Sequence, residues 1–445
     1  MIRTDFEDAP FQRAHWRLVS GATVGYIADG YTLGVVGIAL AGAQVQLSLN
    51  PLWLGALGSA SLVGLLLGAL ISGYFADRFG RRPIFAYNMV AFVGLSLLQL
   101  GVTFAGQLLL LRFLLGVVLG TDYVVCKALL AEFMPRLNRG RALSLMGLAW
   151  AIGYTLAYLA GFLLEDTSTD AWRWILASSA VPAFLSMPLR LTAPESPLWL
   201  SLRGRGEEAQ RIVDRCLGGG YELRIQPARG PPSPRWGRLF SHRQRNATLT
   251  AATVFFCLVV PYFAVSTFIP QVMTALHVTG NYLAGLIYIL GLLAGSVAGF
   301  VLADWFPRRI FVIGSFTITS LALLVCAMAS GLPTLLVVLA FAVFSCVLSA
   351  AQAQVYVYLP ELFPTQLRAS GLGIAVAVSR LGAAAGTALL PLCVARFGVH
   401  VALDVCVGVL MLGGVTSYLW APETRHQRLS DASSGPAATS RFSGA

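Results

Sequence analysis

Charged residues are scarce in this sequence: they make up 11% of the 445 residues, whereas apolar residues make up 57%. A water-soluble domain of this length needs far more charge to cover its surface. The apolar residues fall in runs of about 20, the length of a helix that crosses a bilayer. The composition therefore excludes a soluble globular protein and predicts an all-α membrane protein.

Cysteine and histidine are also few, with seven and five residues, and no spacing matches a metal site or a CxxC redox pair. The sequence has no GxxxxGK[ST] phosphate loop and no nucleophile motif. We therefore predict no metal, no cofactor and no enzymatic activity. A cleavable signal peptide is not recognisable, because residues 1–17 are polar and mixed in charge.

Twelve apolar runs are long enough to span a membrane. They lie near residues 18–40, 53–75, 83–101, 107–130, 142–164, 172–191, 247–270, 282–302, 310–330, 333–357, 369–392 and 399–420. Twelve spans place both termini on one side of the bilayer.

The net charge of +11 reports orientation rather than nucleic-acid binding. Of the 31 basic residues, we assign Arg173 and Arg396 to the outside and Arg112, Lys127 and Arg380 to apolar runs, with the rest in cytoplasmic segments. This bias follows the positive-inside rule, so we predict a multi-pass protein of the cytoplasmic (inner) membrane with both termini cytoplasmic.

The spans divide the chain into five parts. We predict a cytoplasmic N-terminal tail at 1–17, a six-helix bundle at 18–191, a cytoplasmic linker at 192–246, a second six-helix bundle at 247–420, and a mostly disordered cytoplasmic tail at 421–445. The linker is basic and rich in Pro and Gly. Its residues 198–217 favour one or two amphipathic helices, and RGPPSP at 229–234 is typical of a flexible connection.

Three motifs recur at almost one offset, which predicts two related halves. Asp77 of GYFADRFGRR matches Asp304 of ADWFPRR, 227 residues later. Glu132 of EFMP matches Glu361 of ELFP at an offset of 229, and APES at 193–196 matches APET at 421–424 at an offset of 228. Each motif follows an even-numbered span of its half.

Acids and arginines in these motifs are predicted to lie at cytoplasmic helix ends, where partial desolvation strengthens their pairing. We interpret them as a gate that holds the two halves together when the path opens outward. Topogenic charge and turn chemistry alone are the alternative. The predicted gate residues are Asp77, Arg78, Arg81, Arg82, Glu132, Arg139, Glu195, Asp304, Arg308, Arg309, Glu361, Arg368 and Glu423.

These residues carry a family resemblance. GYFADRFGRRP resembles the loop motif between the second and third helices of the major facilitator superfamily. PESPLWL, PETR and ELFPTQLRASG resemble its sugar porter branch, while ADGYTLGVVG and GTDYVVCKALLAEF are similar to proton-coupled metabolite symporters. The resemblance covers residues 18–425 and implies the two-bundle fold and alternating access, without specifying the substrate.

Three positions depart from the patterns of these relatives. Thr32 stands where they often carry a second acid, and Val124 stands where a Pro is usual. Pro307 occupies a usual Gly position in the second loop motif.

Several charges lie at membrane depth, where they cost several kcal/mol unless they face a cavity or a partner. Asp29, near the middle of the first span, is the candidate proton carrier. By the resemblance, Arg112 would be its partner on the fourth span, and a static ion pair is the alternative. Asp122 either takes part in proton coupling or makes a helix-packing hydrogen bond.

Arg380 is the candidate site for an anionic solute, because a guanidinium binds a carboxylate with two parallel hydrogen bonds. Pairing with a protein carbonyl or acid is the alternative, and we expect Lys127 to extend to the interface. Further candidate solute-binding residues are uncharged: Tyr26, Tyr31, Tyr154, Tyr158, Tyr262, Gln352 and Gln354.

We therefore predict a monomeric secondary transporter of a small organic anion such as a carboxylate or aromatic acid, coupled to protons, with no nucleic-acid partner. The lipid bilayer, the solute and protons would be its only partners. Proton-driven efflux of a metabolite or drug, a sugar or polyol porter, and a non-transporting sensor are the alternatives. The first half would handle the proton and the second would bind the solute.

Overall fold

A computed structural model describes residues 4–164, 168–223, 239–241, 244–276, 281–302, 305–328, 332–363 and 368–424 of the chain. Within these ranges the chain forms α1 Arg13–Gln46, α2 Pro51–Phe79, α3 Arg81–Leu98, α4 Ala105–Phe133, α5 Arg136–Leu164, α6 Ala171–Ala177, α7 Ala180–Leu191, α8 Pro197–Leu202, α9 Gly206–Leu217, α10 Arg245–Thr267, α11 Ile269–Ala275, α12 Asn281–Val301, α13 Arg308–Ala327, α14 Thr334–Glu361, α15 Arg368–Phe397 and α16 Val399–Trp420.

Twelve helical stretches of the described chain are long and apolar enough to cross a membrane. Each overlaps one predicted span, so the all-α fold with twelve spans is confirmed. The first span is longer than predicted, since α1 begins at Arg13 and ends at Gln46. The sixth span consists of two helices, α6 and α7, which meet at Ser178 and Ser179.

Close helix contacts in the first half depend on glycine. A β-carbon on Gly64 of α2 would collide with the Phe113 carbonyl of α4, and one on Gly116 would collide with the Ser61 carbonyl of α2. The backbones can approach this closely only because the side chains are missing. The Ser61 hydroxyl then donates a hydrogen bond to the carbonyl of Arg112 at 2.9 Å.

The N-terminal segment is folded onto the linker. Strand β1 (Thr4–Asp5) pairs in parallel with β2 (Tyr221–Glu222), and Gln12 Nε2 donates to the Leu217 carbonyl at 3.1 Å. The apolar residues Phe6, Ala9, Val213 and Leu217 form one small core under this pairing. The predicted amphipathic helices are present as α8 and α9, whereas 229–234 and 425–445 lie outside the described residues.

By its contacts the chain divides into two compact units. The first contains Met1–Gly230 together with Val265–Ile289 and Thr387–Leu392. The second contains Pro231–Ala264, Leu290–Gly386 and Cys393–Ala445. The five-part division by residue number stays a prediction.

Val213→Asn should release the N-terminal segment, because it places a polar group in the small core that covers β1. We expect faster amide exchange at Asp5–Ala9 in hydrogen-exchange mass spectrometry. Arg211→Asn introduces the same residue at an exposed position of α9 and should leave exchange unchanged. Equal exchange in the two variants would contradict this docking.

Candidate functional site

A fully buried ion pair joins α4 to α7. The Arg190 guanidinium meets Asp122 with two nitrogens: Nη2 donates to Oδ2 at 2.9 Å, and Nη1 donates to Oδ1. Both side chains are 0% exposed. Breaking such a pair by removing one partner costs about 3–5 kcal/mol, because an uncompensated charge stays buried.

The surroundings of Arg190 are shaped to hold it. Its Nε donates to the Gly21 carbonyl at 3.1 Å, and its guanidinium lies 4.3 Å from the centre of the Phe85 ring. A β-carbon on Gly25 would collide with the guanidinium. Helices α1 and α3 therefore pack around the ion pair and fix the position of Arg190.

Asp122 has a further donor on α3. Asn88 Nδ2 donates to Asp122 Oδ1 at 3.3 Å and to the Val118 carbonyl at 3.1 Å. Asp122 therefore accepts hydrogen bonds from two helices, α3 and α7. Of the two alternatives for Asp122, the structure shows the packing contact, and it also places Asp122 beside Asp29.

Asp29 of α1 is fully buried next to Asp122. Within the described chain, no hydrogen-bond donor reaches either carboxylate oxygen of Asp29. Two carboxyl groups in contact can share one proton, because both cannot be ionised without strong repulsion. The positive charges that act on Asp29 come from Arg190 and Lys127.

An aromatic pair lies on the same side of α1. The rings of Tyr26 and Tyr123 stack with centroids 5.3 Å apart. The ammonium group of Lys127 lies 5.9 Å from the first ring and 5.7 Å from the second. Lys127 thus contributes a cation at this cluster, and Tyr26 packs against α4.

Arg112 does not form the predicted pair with Asp29. Its Nη2 donates to the Thr32 carbonyl at 3.0 Å, and its Nε and Nη1 are buried without a hydrogen-bond partner in the described chain. Asp29 lies beside Asp122, and ten residues separate Arg112 from Asp122 on α4, about 15 Å along a helix. The Arg112 guanidinium bonds to α1 one turn after Asp29, at the Thr32 carbonyl, rather than to the carboxyl group of Asp29.

The other predicted tyrosines of the first unit are buried between helices. The Tyr31 hydroxyl bonds to Ser178 Oγ at 2.8 Å. Tyr154 stacks on Trp150, and its hydroxyl lies against Ser266 and Thr267. The Tyr31 hydroxyl is thus bound within the protein, whereas the buried Tyr154 hydroxyl has no hydrogen-bond partner among the described residues. Solute binding by either tyrosine stays a prediction.

The Tyr158 hydroxyl, unlike those of Tyr31 and Tyr154, lies against a glycine. Tyr158 is 2% exposed, and its hydroxyl fills the space beside Gly285. A larger residue at Gly285 would collide with it.

The second unit contains the remaining candidates. Arg380 is 7% exposed, and its Nε has no hydrogen-bond partner among the described residues; the same holds for Gln352 Oε1. Tyr262 packs edge to face on Phe263 at 5.3 Å. Arg380 and Gln352 thus have buried polar atoms available for a ligand.

The amide of Gln354 is bound at both ends. Its Oε1 accepts from Arg308 Nη1 at 3.2 Å, and its Nε2 donates to the Gly299 carbonyl at 3.2 Å. The structure thus shows Gln354 in contact with a motif arginine, and its role in solute binding stays a prediction.

The first-half motifs form one charged cluster around the start of α3. Glu195 Oε1 accepts from the backbone amides of Arg81 and Arg82 at 3.0 and 3.1 Å. The Arg81 guanidinium makes two hydrogen bonds of 3.2 Å to Glu132 and an ion pair of 2.9 Å to Asp77. A carboxylate at a helix N-terminus satisfies free amides and stabilises the helix dipole.

The second-half motifs repeat the two glutamate contacts of this arrangement. Glu423 accepts from the backbone amides of Arg308 and Arg309 at 3.0 Å each. Arg308 Nε lies 3.7 Å from Glu361, which also accepts from Thr424. The sequence repeat at offsets of 227–229 is therefore a repeat of contacts as well.

The ion pairs of Arg81 and Arg308 lie within one unit each, so they tie helices together inside a unit. This differs from the predicted role between the halves, which stays a prediction. Asp304 and the side chain of Arg368 lie outside the described residues.

The other predicted gate residues make local contacts. Arg78 Nη1 donates to the Tyr74 hydroxyl at 3.1 Å, Arg139 Nη2 donates to the Met134 carbonyl at 3.4 Å, and Arg309 Nη2 donates to the Tyr418 carbonyl at 2.8 Å. None of these three contacts joins one motif to another.

Sequence reasoning missed Arg190. An arginine at the last turn of a span looks like an ordinary cytoplasmic anchor, and we counted it as one. The available signal was the charge balance of the membrane-depth residues. Asp122 needed a cation, and Arg190 lies inside the predicted sixth span, five residues before Glu195.

Comparisons with known proteins agree with this architecture. The model of the family described as "Sugar (and other) transporter" matches residues 19–434. The inner membrane metabolite transport protein YgcS of Escherichia coli is 38% identical over 94% of both chains. The niacin transporter NiaP of Acinetobacter baylyi is 26% identical over 95% of this chain and 97% of its own.

Among solved structures, the inward-open form of the xylose transporter XylE from E. coli superposes with a TM-score of 0.80. It shares 20% identity and covers 94% of this chain and 99% of its own. Twelve spans, duplicated charged motifs and a charge cluster at membrane depth define a multi-pass membrane transporter. The chain belongs to the sugar (and other) transporter family of the major facilitator superfamily.

Glu195→Ala should destabilise the start of α3, because two backbone amides lose their acceptor. We expect the free energy of unfolding to fall by about 1–2 kcal/mol, as for other lost N-caps, with a lower thermal unfolding temperature in detergent. Glu207→Ala makes the same change at an exposed position and serves as control. Equal unfolding temperatures for the two variants would contradict the capping role.

Proposed function

We propose that the protein is a proton-coupled secondary transporter that carries a small organic acid across the inner membrane by alternating access. The observation that carries this proposal is Asp29, a buried carboxyl group without a hydrogen-bond donor beside a second carboxyl group. A carboxylate at bilayer depth costs several kcal/mol, so a group in this position favours exchange with protons over permanent ionisation.

Asp122 is the second member of the proton site. It accepts hydrogen bonds from Arg190 and Asn88, so its negative charge has a partner within the protein. Its negative charge beside Asp29 then favours a proton on Asp29. In this pair Asp122 keeps its negative charge, while Asp29 binds and releases a proton during the transport cycle.

The solute site is proposed for the second unit, at Arg380. Its buried Nε and the buried Oε1 of Gln352 offer a hydrogen-bond donor and an acceptor. A guanidinium suits a carboxylate, and the name of the relative NiaP points to a heteroaromatic acid as one solute of this kind. Tyr262 on α10 belongs to the same unit as Arg380 and would offer an aromatic face to a flat solute.

The orientation and assembly follow from the same proposal. The linker 192–246 and both termini would be cytoplasmic, in agreement with the excess of arginine in these segments. We propose that the monomer is the working unit and that transport requires no chemical step, so the protein is not an enzyme.

Asp29→Asn should abolish the response of uptake to a pH gradient, because the amide cannot bind and release a proton. Uptake by proteoliposomes would be measured with an inward proton gradient and without one, using radiolabelled niacin as the first solute. Asp170→Asn makes the same change at an exposed acid just before α6 and should retain gradient-driven uptake. A pH response that persists in Asp29→Asn would overturn the coupling.

Arg380→Ala should lose solute binding, because the carboxylate loses its cation. Thermal-shift screening of the purified protein against carboxylates, sugars and aromatic acids is the measurement. A ligand at 100 times its Kd stabilises the folded state by about 2.7 kcal/mol. Arg396→Ala, an arginine at the far end of the same helix α15, serves as control. A ligand that stabilises wild type and Arg380→Ala equally would contradict the site.

A further inference from the structure

Arg190 is a buried cation that lies outside the motifs repeated in the two halves. It lies at the end of α7, only five residues before Glu195, yet its side chain points away from the charged cluster at α3 and reaches Asp122. Its hydrogen bonds go to Asp122 and to the Gly21 carbonyl. The cation therefore acts on the carboxyl pair of the proposed proton site.

We propose that Arg190 is a positioning residue for proton coupling: by holding Asp122 as a bidentate carboxylate, it leaves Asp29 as the single group of the pair that exchanges a proton. This inference rests on the proposed function of Asp29. It adds that the ion pair, rather than Arg112, sets the proton affinity of Asp29.

The geometry separates the two acids. Asp122 receives two guanidinium nitrogens and the Asn88 amide, whereas neither oxygen of Asp29 receives a donor among the described residues. A proton on Asp122 would remove an acceptor for Arg190 and leave its charge buried without a partner. A proton on Asp29 breaks no hydrogen bond. The pair therefore takes up its proton at Asp29.

The other charged and titratable groups around Asp29 come from two neighbouring helices and its own. They are Tyr26 on α1 and Tyr123, Cys126 and Lys127 on α4, in addition to Asp122 on α4 and Arg190 on α7. Of these, only Lys127 carries a further full charge at neutral pH, and it is exposed, so solvent screens it more than Arg190.

Two single substitutions should therefore move proton binding in opposite directions. Arg190→Gln leaves two carboxyl groups without their cation, so Asp29 should bind its proton at least about tenfold more tightly, a rise of about one pH unit in the midpoint. In Asp122→Asn, Arg190 has Asp29 as its only neighbouring carboxylate, so the pH midpoint of proton binding by Asp29 should fall by a similar amount. The double variant removes both charges and should return most of the way to wild type.

Infrared spectroscopy of the full-length protein in lipid nanodiscs would measure these midpoints without any solute. The C=O band of the protonated carboxyl group would be followed against pH, and its loss in Asp29→Asn assigns it. Arg190→Lys is a milder variant that keeps the charge but loses the two-nitrogen contact, and we expect a smaller rise. Arg173→Gln removes an arginine elsewhere in the first unit and should change nothing.

Opposite shifts with recovery in the double variant support the role of Arg190. A purely structural ion pair would lower stability in both single variants and leave the Asp29 midpoint unchanged, and that result would overturn the inference while the proposed function stands. Shifts in the same direction would also overturn it. If Asp29→Asn removes no band, both the inference and the proposed proton site fail.

Discussion

A charge that leaves water must find a partner, and within a bilayer this constraint is severe. In the first unit, Asp122 and Arg190 meet this constraint by pairing with each other. Arg190 reaches Asp122 because Gly25 leaves room for the guanidinium on α1, while Phe85 of α3 offers a ring face and Gly21 a carbonyl. The packing of four helices at this point follows from one buried ion pair. The proton chemistry proposed for Asp29 depends on the same pair.

The two halves of the chain use one design at their charged motifs. In each half a glutamate accepts from the first two amides of a helix, and an arginine at that helix start meets a second glutamate. A helix N-terminus offers amides without intrahelical partners, so a carboxylate is the natural cap. Because the same need arises after the same span in each half, duplication preserved both the residues and their contacts.

The halves differ where the proposed function needs different chemistry. The first unit holds a carboxyl pair with a compensating arginine, whereas the second holds Arg380 and Gln352 with buried polar atoms available. A carboxyl pair suits proton binding, and an arginine with an available nitrogen suits anion binding, so the two units together suit a transporter of protons and anions. Duplication accounts for the scaffold, and divergence of a few buried side chains accounts for the proposed division of labour.

Much of the fold was predictable from the sequence, because hydropathy and repeat spacing can be read directly along the chain. The twelve spans, the amphipathic linker helices and the matched motifs needed only runs and offsets along the chain. The partner of a buried charge is not a local property. Arg112 lies within a predicted span and Arg190 at the end of one, and only helix packing decides that Arg190 reaches Asp122, whereas Arg112 reaches the Thr32 carbonyl. The sequence by itself determined which elements cross the membrane and which motifs repeat; the tertiary structure alone decided which charges meet, since side chains far apart in the chain pair only where helices bring them to the same depth.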